Sequence, residues 1–508
     1  MCGRVARATL TVAAVACACV GPPGSGPPLR IAIYDRPRSF DPHLESEFVS
    51  FAIVSHVYEG LTRLDRDLKV APALAERWES LDAVRWRFRL RPGVRFHDGR
   101  ALSADDVVAS LERARNHPRS DWSSFLVAMD RVHAVDPLTV EVATRRPYSL
   151  LLQKLAYIMI LPRGAPDEID RPVGTGPYRL LAPLSGRRLV LHGFEGYWGA
   201  PPTEMLVHFE VEPSLERALR APAAERADVV LAVGPQAANL IQRTPGYSLV
   251  TRSGITTDYL QLQISRPPFS DVRARRAVSL GLDRDALVRD VLGGRGRPAN
   301  QLVSPAVFGH DPTVPEVKRN VGEARRLLAA AGYPDGLDID LEFREGRRVE
   351  PLVAQLAEIG IRARPRPQPY GKLSVRLRAN QVAMYYGGAM ASTGDASDLL
   401  DSLLHSRTPE RGLGENNMIG YSNLVLDGQI EAASRQRAMT ERRATLQHCL
   451  RLALDDLPLV PLVSPEDIYG VREGIEWRPR LDGRVLGAEV HRAPRASAVA
   501  ERRSVLLE

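Results

Sequence analysis

The sequence predicts a mixed α/β protein, and three observations lead to that prediction. Apolar runs typical of strands alternate with segments of helical periodicity. Clusters of proline and glycine separate these segments along the chain. The 508 residues exceed what one hydrophobic core usually serves, so we expect two or three lobes. The strand-like runs are 29–34, 139–143, 189–192, 228–231, 259–264 and 339–343, and the clearest helices are 103–115, 272–292 and 322–331.

The stretch WRFRLRPGVRFHDGRALSADDVVASLERAR, residues 86–115, illustrates these signals. Trp86, Phe88 and Leu90 alternate with arginines, which is the period of a strand with one buried face. Ser103 stands three residues before Asp106, the spacing of a capping box at the start of a helix. The stretch therefore predicts a strand, a turn and a helix that pack on a core.

Composition is that of a soluble globular protein and argues against nucleic acid as a partner. Hydrophobic residues make up 44% of the chain and charged residues 25%, which is ordinary for a folded protein. The formal charge of +7 comes from arginines scattered along the sequence. The sequence has no basic helix with interleaved aromatic residues that could track a phosphate backbone, so we expect no nucleic-acid binding.

The N-terminus predicts export. Two arginines precede an apolar run, residues 8–20, that is too short to span a bilayer and suits a signal-peptide core. Ala14-Val15-Ala16 ahead of Cys17 fits a cleavage site and is also similar to a bacterial lipobox, whose cysteine carries lipid. We expect residues 1–16 to be a signal peptide and Cys17 to be lipidated, with simple secretion as the alternative.

Two further segments differ in composition from the body of the chain. Residues 17–28 are rich in proline and glycine, which suits an extended tether between a membrane anchor and a folded body. Residues 492–508 have little to pack with and are expected to be a disordered tail. Between them the only cysteine is Cys449, which lies in an apolar helical pattern, so we expect a core thiol and no internal disulfide.

Motifs for catalysis, metal binding and cofactor binding are missing from the sequence. It has no G-x-S-x-G elbow, P-loop, H-E-x-x-H or paired C-x-x-C. His97 and Asp98 are adjacent, but they precede a glycine turn, where an Asx-type turn is the more frequent structure. We therefore expect no catalytic residue, no metal site and no cofactor.

Seven blocks that together cover most of residues 30–470 carry a family resemblance. They are SFDPHLES (39–46), VYEGLTRLD (57–65), APALAERWES (71–80), FRLRPGVRFHDGRALSADDVVASLERAR (88–115), VGTGPYRL (173–180), DYLQLQISRPPFSDVRARRAVSLGLDRDALVRDVLGG (258–294) and EARRLLAAAGYPDG (323–336). In this order they resemble family 5 of the extracytoplasmic solute-binding proteins, which serves importers of dipeptides, oligopeptides and nickel. The R-x-G-V-x-F-H-D-G-x-x-x-x-A-x-D-V pattern is highly specific.

The resemblance implies a periplasmic-binding-protein-like type II fold, in which two α/β lobes close on a solute by hinge motion and one lobe carries an extra subdomain. Lobe I would comprise residues 29–50, 173–255 and 465–491, with the extra subdomain at 51–172. Lobe II would comprise residues 256–464. The chain would cross between the lobes near residues 253–264 and again near 457–464.

The segment GGAMASTGDASDLLDSLL, residues 387–404, departs from the family's peptide binders. Those proteins commonly carry a tryptophan here and an aspartate that pairs with the peptide's amino terminus, and Ala389 and Ser392 stand at the matching positions. Asp395 or Asp398 could supply the missing carboxylate. The alternative is that both aspartates cap the helix that begins at Ala396.

The resemblance places the ligand cleft at Tyr385, Tyr386 and the loop from Ala389 to Asp398, so the expected ligand-binding residues are Tyr385, Tyr386, Ser392, Asp395 and Asp398. Two tyrosines beside glycines could equally belong to an ordinary strand core. A lobe-crossing cleft offers a ligand aromatic faces and loop backbone.

The function implied by the resemblance is that of a receptor that delivers a peptide-like or other small solute to the permease subunits of an ABC importer. We expect a monomer, outside the cytoplasm and held to the membrane by its lipid. Two alternatives stay open at this point, an exported enzyme on the same scaffold and a solute sensor or chaperone without an importer.

Overall fold

The computed structural model describes residues 26–222, 225–232 and 234–493. The strands are β1 Leu29–Ile33, β2 Thr62–Leu64, β3 Val70–Pro72, β4 Ala75–Ser80, β5 Arg85–Leu90, β6 Met129–Asp136, β7 Thr139–Thr144, β8 Tyr178–Ser185, β9 Arg188–Gly193, β10 Leu206–Val211, β11 Val229–Ala232, β12 Tyr247–Ser253, β13 Thr256–Leu262, β14 Gly296–Pro298, β15 Leu337–Arg344, β16 Ile361–Gln368, β17 Met384–Met390, β18 Leu459–Arg472, β19 Ile475–Glu476 and β20 His491–Arg492.

Helices lie between these strands, so the mixed α/β prediction is confirmed. They are α1 Phe48–Val54, α2 Ala104–Asn116, α3 Leu151–Leu155, α4 Leu215–Arg220, α5 Pro235–Gln242, α6 Val272–Gly281, α7 Arg284–Asp290, α8 Val321–Ala330, α9 Glu350–Glu358, α10 Tyr370–Arg378, α11 Ser397–Leu399, α12 Leu424–Arg435 and α13 Met439–Asp456. A π-helical turn, Leu400–Leu404, continues α11, and short 3₁₀ turns cover Ser123–Leu126, Pro409–Arg411 and Gly487–Glu489.

A large sheet forms the frame of the molecule, in the order β16-β15-β17-β13-β18-β11-β1-β10-β9-β8, with β12 and β14 also paired to β18. The long strand β18 belongs to both halves of this frame. Its first part pairs with β13 over Leu459–Val463, and its second part pairs with β11 and β12 over 466–472. The other connection is the short junction Gly254-Ile255 between β12 and β13. Any bending of one half against the other is therefore concentrated at these two places.

A separate four-stranded antiparallel sheet, β4-β5-β7-β6, is covered by α2. The alternation in β5 buries Phe88 and Leu90 completely and places Arg87 and Arg89 on the other side of the sheet. The capping box at the start of α2 is present, because Asp106 Oδ2 accepts from the Ser103 amide at 2.8 Å and from its hydroxyl at 2.7 Å. The strand, turn and helix predicted from residues 86–115 are confirmed.

His97 and Asp98 have structural roles. A ring nitrogen of His97 lies 2.9 Å from the Gly176 carbonyl, and its amide donates to the Gly174 carbonyl. Asp98 Oδ1 accepts from the Arg100 amide at 3.1 Å, which is the Asx-type turn that the glycine predicted. The pair joins the small sheet to the chain around residue 175 and takes no part in a catalytic arrangement.

The single helix predicted over residues 272–292 is wrong, because the structure divides it into α6 and α7. Leu282 is extended between them, and the side chain of Asp283 caps α7 by accepting from the Ala286 amide at 2.8 Å. A capping aspartate after Gly281 starts a new helix more favourably than it continues an old one. The other two helices, α2 and α8, lie within one residue of their predicted bounds.

Two large cores stabilise the frame. One fills the space around β1, β10, α1 and the small sheet and reaches the segment from Ala391 to Leu459, while the other lies around β13, β15, β16 and α6. Cys449 is fully buried in the first core, as predicted, and burial raises its pKa to about 12. None of the helices in the described part of the chain has the length and apolar character needed to cross a membrane.

The ends of the described chain lie close together. Arg492 belongs to β20, which pairs with β19, and its guanidinium donates to Asp228 Oδ2 at 3.1 Å and to the Pro28 carbonyl at 3.0 Å. The ordered body thus reaches past the expected start of the tail at residue 492. The predicted signal peptide, Cys17 and residues 494–508 lie outside the described residues.

Candidate functional site

A cavity of about 540 Å³ lies where the frame, the loops after β17 and the region around the small sheet meet. We call it the main cavity. It is lined by Ser46, Asp121, Trp122, Ser124, Phe125, Lys154, Tyr259, Gln261, Tyr370, Leu377, Arg378, Tyr385, Gly388, Ala389, Met390, Ser392, Asp398, Leu399, Asp401, Ser402, Leu403, Gly412, Glu415, Asn416 and Met418. Small-molecule sites typically have volumes of about 300–1,000 Å³, so the main cavity can hold a small solute.

The two tyrosines of β17 point in opposite directions because neighbouring residues of a strand face opposite sides. Tyr385 lines the main cavity, and burial raises its pKa. Tyr386 is 3% exposed and faces the core, where its hydroxyl donates to Asp258 at 3.1 Å. The Arg347 guanidinium lies 4.7 Å from the centre of its ring. Tyr385 therefore lies in the wall of the main cavity, whereas Tyr386 lies in the core of the strand.

The end of β17 and the loop that follows it bring Ala389 and Ser392 to the main cavity. The Ser392 carbonyl accepts from the Tyr157 hydroxyl at 2.6 Å, which fixes this loop against the region before β8. Alanine and serine stand here where the resemblance to the family's peptide binders leads us to expect a tryptophan and an aspartate.

Asp395 does not reach the main cavity. It is 3% exposed, and both of its oxygens accept from Arg442, at 2.5 Å and 2.8 Å. The same carboxylate caps α11 by accepting from the Ser397 amide at 2.9 Å. Arg442 also donates to the Ser149 hydroxyl at 2.9 Å. Both oxygens of the carboxylate are thus bound within the protein. The expectation that Asp395 lies in the cleft is therefore corrected.

Asp398 does line the main cavity. One of its oxygens accepts from the Thr393 amide at 3.1 Å, which holds the loop from Ala391 to Asp398 in a closed turn. Burial raises its pKa, and Lys154 opposes that rise. Of the two aspartates considered from the sequence, Asp398 is the one in position to meet a solute.

The sequence interpretation missed Lys154 and Asp401. Lys154 is 8% exposed, and its ammonium lies 4.9 Å from the ring centre of Phe125 and 5.4 Å from that of Tyr148. Burial lowers its pKa, but Tyr148, Asp401 and Asp398 outweigh that effect and keep it charged. The sequence does contain a signal for this site: Lys154 lies inside the apolar run LLQKLAYIMI, and a buried lysine needs a compensating partner.

Asp401 is 6% exposed and follows α11 in the π-helical turn. Its Oδ1 accepts no hydrogen bond from any of the residues that the structure describes. Burial raises its pKa to about 6, although Lys154 and Arg146 lower it. The lining of the main cavity thus includes the carboxylates Asp121, Asp398, Asp401 and Glu415 against the cations Lys154 and Arg378. This excess of negative charge favours a solute that brings positive charge.

A second cavity of about 310 Å³ lies at the crossing of the two halves, and we call it the hinge cavity. Its lining comprises Tyr34, Phe48, Leu231, Gly234, Ile255, Thr256, Met390, Pro465, Glu466, Asp467, Ile468, Tyr469, Leu481, Asp482 and Gly483. Met390, which is 37% exposed, lines both cavities, so they adjoin at this side chain.

Metal-ligating side chains do not cluster at either cavity. Across residues 26–493, apart from the three that are not described, no three or more His, Cys, Asp or Glu side chains are arranged to hold a metal ion.

Comparison with known proteins decides the family. The profile of the bacterial extracellular solute-binding proteins, family 5 (middle), matches residues 69–410. The chain belongs to this family. The family makes it an extracytoplasmic solute-binding receptor of an ABC importer with the two-lobe type II fold, so the function and the fold predicted from the sequence are confirmed.

Relatives and solved structures agree with this assignment. The glutathione-binding protein GsiB of Salmonella paratyphi A is 28% identical over 456 residues, which cover 85% of this chain and 88% of GsiB. NikA of Brucella suis, in complex with Fe(III)-EDTA, has a TM-score of 0.82 at 22% identity and covers 92% of this chain and 100% of NikA. DppA of Helicobacter pylori, in complex with the peptide STSA, has a TM-score of 0.81 at 21% identity, and the match covers 92% of this chain and 98% of DppA. These relatives are solute-binding proteins.

Proposed function

We propose that this family 5 receptor binds a small peptide-like solute carrying positive charge and delivers it, unchanged, to the permease subunits of an ABC importer. The observation that carries the proposal is the charge of the main cavity, where four carboxylates face two cations. A buried carboxylate is stabilised by an ammonium group within a few ångströms. A peptide supplies such a group together with amides that hydrogen-bond to the polar lining.

Relatives give independent support for the peptide class. GsiB is named for glutathione, a tripeptide derivative, and DppA was solved with the peptide STSA. The aromatic rings of Trp122, Phe125 and Tyr385 offer flat apolar faces to side chains of such a solute. We assign Tyr385, Ser392 and Asp398 to direct contact with the solute, and Tyr386 and Asp395 to support of the cavity wall.

We further propose the organisation expected from the sequence. Lobe I comprises residues 29–50, 173–255 and 465–491 with its subdomain at 51–172, and lobe II comprises residues 256–464. The protein acts as a monomer, and lipid on Cys17 tethers it to the membrane through residues 17–28. Binding without chemical change is supported by relatives that are solute-binding proteins.

Calorimetric titration of the mature protein tests the proposal. The panel comprises a lysine-containing tripeptide, trialanine, glutathione and a non-peptide sugar, and the recovered solute is analysed by mass spectrometry. We expect the lysine-containing peptide to bind more tightly than trialanine and to be recovered intact. Asp398→Asn should reduce this preference, whereas Asp285→Asn, a change on the exposed side of α7, should not. Equal binding of all peptides, or loss of the titrated peptide with time, would contradict the proposal.

A further inference from the structure

The hinge cavity contains a carboxylate to which no cation of the described residues is bound. Asp467 lies on β18 at the crossing, and no side chain or amide of the described residues donates to its carboxylate. The nearby guanidinium of Arg252 is already bound to Asp67 and to the Pro479 carbonyl. The other aspartate of this cavity, Asp482, is buried and differs, because Arg480 and Arg484 both hold it.

The backbone around Asp467 leaves its carboxylate open to the cavity. Gly254 and Gly483 flank it: a Cβ added to Gly254 would lie only 3.0 Å from Asp467 Oδ2 and would crowd it, whereas one added to Gly483 would lie 3.6 Å away, in ordinary van der Waals contact. Tyr34, Phe48 and Tyr469 supply aromatic walls, and the described lining includes no lysine or arginine. A pocket with aromatic walls, carboxylates and no cation has the chemistry that receives an ammonium group.

We propose that Asp467 binds the amino group of the solute in the hinge cavity and thereby replaces the aspartate whose position Ser392 occupies. This inference rests on the proposed function and specifies the ligand group: a primary or secondary ammonium, as at a peptide's amino terminus. The solute would run from Asp467 past Met390 into the main cavity, since that side chain lines both.

The cost of an isolated charge supports this assignment. Burial and the neighbouring Asp482 raise the pKa of Asp467 to about 7, although the nearby Arg252 lowers it. A carboxylate held without a partner opposes its own ionisation, and an arriving ammonium relieves that cost. An ammonium group of the solute can therefore bind the Asp467 carboxylate, to which none of the described cations is bound.

The test compares amines with their acetylated forms in two proteins. Calorimetry measures the binding of trialanine, N-acetyl-trialanine and 1,4-diaminobutane to the wild type and to Asp467→Asn, with Asp285→Asn as a control on an exposed acid. We expect Asp467→Asn to weaken trialanine by about 30-fold or more, because it removes a charged partner from a partly buried ion pair. N-acetyl-trialanine should bind both proteins equally weakly, and Asp467→Glu should restore part of the affinity.

Each outcome separates this inference from the proposed function. Unchanged trialanine affinity in Asp467→Asn overturns the role of Asp467 and leaves peptide binding standing. If the wild type binds no peptide but binds 1,4-diaminobutane through Asp467, the ammonium site stands and the peptide proposal fails. If the wild type binds neither the peptides nor the diamine, both are overturned.

Discussion

Arg442 binds Asp395 through two hydrogen bonds, at 2.5 Å and 2.8 Å, and both residues are at most 3% exposed. The guanidinium also donates to Ser149, which belongs to the region before β8, far away in the chain. The pair thus joins α11, α13 and the neighbourhood of α3. Its role is to hold one wall of the main cavity in place, which explains why a carboxylate so close to the cleft is closed to solute.

Asp395→Ala should destabilise the protein and should not selectively weaken a cationic solute. Removing one member of a buried ion pair leaves the other charge alone and costs about 3–5 kcal/mol. Asp340→Ala serves as the control, since its side chain is 41% exposed and its pairing with Arg364 is worth at most about 1 kcal/mol. Thermal unfolding of both variants measures the difference. Equal melting temperatures would contradict the structural role of Asp395.

The neighbouring tyrosines of β17 should respond in opposite ways. Tyr385→Ala removes an aromatic face from the main cavity and should weaken the bound peptide by about 3- to 10-fold with little loss of stability. Tyr386→Ala empties a packed core position and takes a donor from Asp258, so it should cost about 3–5 kcal/mol of stability. Titration and thermal unfolding on both variants test the pair. A larger affinity loss in Tyr386→Ala than in Tyr385→Ala, at matched folded fraction, would reverse the assignment.

Asp467 should make the free energy of unfolding decrease as the pH rises. Asp467→Asn should remove this contribution to the pH dependence. The pKa of Asp467 is raised to about 7 from an ordinary value of 3.8. Between these values the folded protein holds a proton that the unfolded chain has released, so the free energy of unfolding decreases as the pH rises. The groups that act on this carboxylate are Asp482 and Arg252.

We therefore expect wild type and Asp467→Asn to be equally stable at about pH 4. At about pH 8 the variant should be more stable by about 2 kcal/mol or more. Denaturant unfolding of the two proteins across this range gives the comparison, and the difference between them isolates Asp467 from other acids. A difference that stays constant with pH would show that Asp467 titrates normally.

Cys17→Ser should abolish lipid attachment. A diacylglyceryl group provides the two acyl chains that stable membrane anchoring needs. In cells labelled with a radioactive fatty acid, the wild-type protein should carry label and sediment with membranes, and the variant should do neither. Cys449→Ser is the matched control, because that thiol is fully buried in the core. Label on the Cys17→Ser protein would exclude this cysteine as the lipidated residue.

Signals that depend on neighbouring residues were readable from the sequence, and contacts between distant segments were not. The alternation of Phe88 and Leu90 and the capping pair Ser103 and Asp106 act within one strand or one helical turn, so their prediction succeeded. The twin tyrosines of β17 show the limit: alternation requires one to face the core, but only the packing of Asp258 and Arg347 decides which.

The charged residues of the two cavities could not be predicted from the sequence for the same reason. Asp401 acts electrostatically on Lys154 although more than two hundred residues of chain separate them, and no spacing in the sequence predicts this interaction. Asp467 stands in the segment PED, where nothing distinguishes it from a solvated acid until Gly254 is brought beside it. The packing of distant segments brings such residues together, and that packing becomes visible only in three dimensions.

The side chain of Met390 separates the main cavity from the hinge cavity and can change its conformation. Its unbranched thioether has several low-energy shapes and can move aside without breaking a hydrogen bond. A short solute would leave the Met390 side chain in place. A longer solute would displace it toward the solvent, to which it is already exposed. We therefore expect selectivity to be strict for the charge at the end of the solute and lenient for its length.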